Sequence, residues 1–173
     1  MHVFEVRLSD ADRAVNEAFT LRVARHPSET AEYLLTRLLA YCLEYTEGIA
    51  FSKGLSDPDE PAIAVRDLTG ALQAWIEIGA PDADRLHRAA KAAPHVAVYA
   101  HRGLDALVER LAGERIHRAA EIRLLGVEPE LLAALAARLD RRMSLDVTVS
   151  DRTFYISLGG ETLTGVVEER RLT

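Results

Sequence analysis

Glu77 stands near the end of the apolar run "LQAWIEIG", flanked by Trp75, Ile76 and Ile78. A carboxylate buried in such a run without a partner costs on the order of several kcal/mol. Its compensation must be a cation, a metal ion or solvent at the strand end. An acidic turn carrying Asp57, Asp59 and Glu60 beside Pro58 and Pro61 precedes the strand that would pair with "LQAWIEIG". Where the hairpin register brings these acids to Glu77, the carboxylates repel one another unless a cation joins them. An all-oxygen set of that kind suits a hard divalent ion, so Asp59, Glu60 and Glu77 are candidate Mg²⁺ ligands. Two plainer readings stand beside this one. Glu77 pairs with Arg85, Arg88 or a helix N-terminus, and the acidic turn is an ordinary solvated one.

Lysine usage adds a second signal. Of 21 basic residues only Lys53 and Lys91 are lysines, and both flank the acidic segment. A lysine ammonium is a compact charge whose pKa shifts readily, suited to orienting or activating a water. The six histidines show no metal-ligand spacing. "LGGET" is neither a Walker loop nor a dinucleotide turn, and nucleophile motifs around Ser or Cys are absent.

These residues need a scaffold. A chain of 173 residues suits one domain, and 1–173 is read as such. The net charge of −6, with no basic excess in either half, argues against a dedicated nucleic-acid coat, so any polyanion contact must be local. Cys42, the single cysteine, sits among Leu38, Leu39 and Leu43 and reads as a core thiol. The first thirty residues are dense in charge, and no segment reaches spanning length; the expectation is a cytoplasmic protein without membrane contact.

The elements follow from periodicity. Val3–Leu8 and Ala18–Ala24 alternate as an antiparallel pair of strands. The pattern predicts a helix over 27–47, with Pro27 at its first position, Leu34, Leu35, Leu38, Leu39 and Cys42 as its buried stripe, and Gly48 closing it. After the hairpin, "PDADRLHRAAKAAP" is an amphipathic helix that starts at Asp82 and stops before Pro94, with Leu86, Ala89, Ala90 and Ala93 inward. "HVAVYAH" is then a buried strand, and strand, helix, strand in that order implies a parallel pair with "LQAWIEIG". A further helix, strand and helix lead to two or three C-terminal antiparallel strands, with turns at Ser150-Asp151 and Gly159-Gly160.

"ARHPSET", "FSKGL", "DEP", "WIEIGAP" and "RLHRAAKA", in this order between Ala24 and Ala92, resemble the YaeQ family of small bacterial proteins. The resemblance implies an α/β fold with a PD-(D/E)XK nuclease-like core: a helix, an antiparallel meander, a crossover helix and a parallel strand. It also implies Mg²⁺-dependent phosphodiester cleavage, or a degenerate relative of it that binds a protein or nucleic-acid partner. In that pattern Glu29 on the opening helix joins Glu77 in the catalytic set, and Arg25 and Lys53 are binding residues. The pattern is incomplete here. Ile78-Gly79 follows Glu77 where Glu-x-Lys is expected, and Ala62 follows Pro61 where Pro-Asp is expected. Lys91, from the neighbouring helix, is the substitute amine.

Overall fold

The structure is a computed structural model that describes residues 1–52 and 59–172. Its strands are β1 (His2–Asp10), β2 (Val15–Val23), β3 (Ile49–Phe51), β4 (Ile63–Arg66), β5 (Leu72–Ile78), β6 (His95–Ala100), β7 (Arg123–Val127), β8 (Arg142–Ser150), β9 (Thr153–Leu158) and β10 (Glu161–Arg171). Its α-helices are α1 (Ala31–Leu43), α2 (Ala83–Ala92), α3 (Leu104–Leu111) and α4 (Pro129–Ala136). Packing divides this mixed α/β chain into two compact units, Met1–Leu43 with Val127–Glu168, and Glu44–Gly126 with Glu169–Thr173.

In the first unit the strand order is β2-β1-β8-β9-β10. β1 and β2 form the expected antiparallel pair, Val6 opposite Phe19. β1 also pairs with β8 in parallel, from Val3 beside Arg142 to Asp10 beside Val149. Strict alternation places Phe4, Val6, Leu8, Leu145, Val147, Phe154 and Ile156 in the core. α4 lies close on β10: a Cβ at Gly165 would stand 2.6 Å from the Leu131 Cβ. The β8–β9 turn uses Asp151 and Arg152, both at positive φ, one residue later than the pattern suggested. Asp12 compensates that conformation by accepting hydrogen bonds from both backbone N–H groups at 2.7 and 2.9 Å.

The helix expected over 27–47 is shorter, Ala31–Leu43. Thr30 caps it, its hydroxyl accepting from the Tyr33 N–H at 3.1 Å while its carbonyl accepts from Leu34. A threonine hydroxyl satisfies an orphan amide that Pro27 has no side-chain acceptor to meet. Gly48 does not close the helix. It turns into β3 at φ +90°, where a Cβ would stand 2.0 Å from the Arg66 carbonyl oxygen.

In the second unit β3, β4 and β5 form an antiparallel meander, and β5, β6 and β7 run parallel. The expected β5–β6 pair is present, Trp75 beside Val96 and Ile78 beside Tyr99. α2 starts at its Asp82 cap and presents Leu86, Ala89 and Ala90 to a core shared with Trp75, Val96, Val98, Leu107 and Leu124. This core holds the face of β5 on which Glu77 lies. No helix among the described residues is long and apolar enough to cross a membrane.

Candidate functional site

β5 turns alternate side chains to opposite faces, so Trp75 and Glu77 share the face that α2 covers. Glu77 is only 6% exposed. Its compensation comes from the first turn of α2. The Arg85 Nε donates to Glu77 Oε2, and the Arg85 Nη2 donates to Oε1 at 3.2 Å. The Trp75 indole N–H also donates to Oε1, at 3.3 Å, and the guanidinium sits 5.4 Å from the centre of the Trp75 ring. This is a fork-on-carboxylate pair with an aromatic wall, a geometry that arginine supplies and lysine does not. Asp82 sets its origin by accepting from the Arg85 backbone N–H at 2.8 Å. The same Arg85 Nη2 donates to the Glu60 carbonyl oxygen at 2.8 Å, so one guanidinium ties the acidic segment to the strand end.

Of the candidate residues, Asp59, Glu60, Glu77 and Lys91 lie in the second unit, and Lys53 lies outside the described residues, as does Asp57. Asp59 and Glu60 are exposed. Lys91 is exposed on α2, about 9 Å further along the helix axis than Arg85 and about 120° around it. Glu29 and Arg25 belong to the first unit. Glu29 precedes α1, and its side chain, 5% exposed, accepts from Arg37 Nη2 at 2.9 and 3.2 Å and from the His26 N–H at 3.1 Å. Arg25, exposed, donates from Nε to the Glu29 carbonyl at 3.2 Å. Among the described residues no three His, Cys, Asp or Glu side chains gather as a metal site. Both Glu77 oxygens are engaged by nitrogen donors, so Glu77 as placed does not fit a resident Mg²⁺.

A second buried polar group in the second unit escaped the sequence reading. The Tyr99 hydroxyl donates to Glu44 Oε2, and Arg123 Nη1 donates to both Glu44 oxygens at 3.0 and 3.2 Å. Arg123 Nε reaches Glu169 at 3.4 Å. Burial, and then the neighbouring Glu44 charge, hold the Tyr99 phenol well above its usual pKa. Burial pulls against the Arg123 charge, but Glu44 outweighs it and leaves the guanidinium more firmly protonated than usual. The available signal was a tyrosine inside the otherwise apolar "HVAVYAH", since a buried phenol needs a hydrogen-bond partner.

Comparison with known proteins gives one consistent answer. The family model described as "YaeQ protein" matches residues 1–166. "Uncharacterized protein YaeQ" of Escherichia coli (strain K12) is 32% identical over 153 residues, covering 88% of this chain and 84% of that protein. Its Salmonella typhi counterpart is 33% identical over the same shares. The crystal structure of YaeQ protein from Xanthomonas axonopodis pv. citri is similar with a TM-score of 0.89 and 30% identity, covering 99% of this chain and 98% of that one. That from Pseudomonas syringae is similar at 0.85 and 32%, covering 97% and 93%.

Proposed function

Because this chain belongs to the YaeQ family, we propose that it is a binding domain on a PD-(D/E)XK-like core whose hydrolytic centre has been closed by an internal cation. The core reading is supported by the β3–β4–β5 meander, the α2 crossover and the parallel strand β6. The loss of catalysis rests on one observation: the Arg85 fork occupies both oxygens of Glu77. A metal-dependent phosphodiesterase needs those oxygens for its ion. The function left to such a domain is recognition of a protein or nucleic-acid partner.

A second reading is favoured by the Arg85–Glu60 hydrogen bond, which draws the acidic segment to Glu77. In it Asp59, Glu60 and Glu77 hold Mg²⁺ once Arg85 withdraws, with Lys91 of the same unit in support. Purified protein titrated with Mn²⁺ in a calorimeter, and incubated with single- and double-stranded DNA and RNA in Mg²⁺, separates the two. The binding-domain reading expects no metal heat and no cleavage. Metal-dependent cleavage that Glu77→Gln abolishes would establish the hydrolytic reading instead.

A further inference from the structure

The segment 112–118, which follows α3 in the second unit, is fastened to α2 at two points. Arg118 Nη2 donates to the Ala90 and Ala93 carbonyl oxygens at 2.6 and 2.9 Å and so satisfies acceptors at the C-terminal end of the helix. Nearer the middle of α2, His87 Nδ1 accepts from the backbone N–H of His117 at 3.0 Å. The two imidazole rings meet edge to face, with 6.2 Å between their centres. Ile116, next to His117, is buried in the core to which α2 contributes Leu86, Ala89 and Ala90.

We infer that His87 and His117 form an acid-released latch, which holds segment 112–118 on α2 while His87 is neutral and lets it go when His87 is protonated. The donor in their bond is an amide, so the imidazole must accept, and Nδ1 accepts only while it carries no proton. Acid places N–H against N–H and breaks the bond. The surroundings hold no counter-ion for the new charge. Around His87 the charged groups are Asp84, Arg88 and Lys91 on α2, Glu114, Arg115, Arg118 and Glu121 in and after the segment, and Glu109 and Arg110 in the last turns of α3. Glu121 lies 3.9 Å from Arg118 Nε, and Arg110 donates to the Pro81 carbonyl. Among the described residues no carboxylate stands within ion-pair distance of either imidazole. Once His117 is charged as well, two cations face each other across the 6.2 Å between ring centres. Histidine ordinarily changes charge between about pH 5 and pH 8, so the latch is shut at the alkaline end of that range and open at the acid end.

Amide hydrogen exchange of the full chain tests this, with protection taken relative to the unfolded chain at each pH so that the intrinsic pH dependence cancels. Between about pH 8 and pH 5 the protection of the His117 amide and its neighbours in 115–118 is expected to fall about fivefold or more, the loss of one ordinary hydrogen bond, while amides of β5 and β6 hold theirs. His87→Asn places an amide oxygen where Nδ1 stands and does not titrate, so its protection at 115–118 is expected to stay level. His117→Gln keeps the backbone donor and still loses protection in acid. Circular dichroism is the folding control for both variants. Nitrogen-15 spectra of the wild-type imidazoles read the bond without mutation: at about pH 8 the His87 proton must reside on Nε2. Constant protection in the wild type, an equal fall in His87→Asn, or a His87 proton on Nδ1 in the alkaline sample would each overturn the proposal.

Discussion

The Glu77–Arg85 pair decides how this protein tolerates change at the site. Glu77 and Arg85 side chains are 7% and 22% exposed, so removing one partner leaves a largely desolvated charge behind. Arg85→Ala is expected to destabilise the fold by about 3 kcal/mol, whereas Glu77→Leu/Arg85→Leu, which removes both charges, regains most of that loss. Urea denaturation of the two variants provides the check; equal losses would show that packing, and not the stranded charge, dominates. Buried acids of another kind shape the alkaline limit. Burial pushes the Cys42 thiol up to about 12 from its ordinary 9.0, and the Tyr99 phenol is raised above its ordinary 10.0 by burial and then by Glu44. The folded chain keeps both protons after the unfolded chain has released its own. The stability they contribute is therefore complete below pH 9 and is lost as pH climbs past it. Urea midpoints measured between about pH 8 and pH 11 should fall, and fall less steeply in Cys42→Ala/Tyr99→Phe than in wild type.

At the scale of elements, caps and close approaches carry the specificity. Thr30→Ala and Asp82→Ala each remove the side-chain acceptor at a helix start and should cost about 1 kcal/mol by thermal or chemical denaturation. Gly165→Ala forces β10 and α4 apart at the Leu131 contact and should cost about 1–3 kcal/mol, while Gly160→Ala, whose Cβ meets nothing within 4 Å, is penalised only by its backbone at φ +80°, by about 1 kcal/mol. Most elements were legible because their signals are local. α2 begins at Asp82, and its inward residues Leu86, Ala89 and Ala90 are those the helical spacing marked. α1 is shorter than its pattern at both ends for a physical reason. Pro27 and Thr30 both fit a helix start, and only the hydroxyl of Thr30 meets the Tyr33 amide. Gly48 suited a helix stop until the Arg66 carbonyl showed why a side chain is excluded there.

At the scale of the whole molecule, the first unit is assembled from two distant stretches of chain. β8 lies between β1 and β9, so a fragment 1–126 leaves the β1–β2 hairpin without its parallel partner and without β9, β10 and α4. This fragment is expected to lack a folded first unit, visible as lost dispersion for residues 2–23 in amide spectra; native-like shifts there would refute it. Pairings as remote as Val3 with Arg142 also predict folding in the millisecond-to-second range, because loop closure precedes the contacts that reward it.

The division between sequence and structure follows the range of the forces involved. Alternation, helical spacing and turn residues act within a few positions, so the residues themselves determined the β1–β2 hairpin, the β4–β5 hairpin, α2 and the parallel β5–β6 pair. The buried carboxylate at position 77 likewise announced that it needed a cation. Which cation was a tertiary matter. Arg85, Arg88 and a metal ion all satisfied the sequence, and only the docking of the first turn of α2 beside Trp75 put the Arg85 fork on Glu77. The same holds for Glu44, Tyr99 and Arg123, far apart in the chain and joined only because burial leaves each polar group no water to bond.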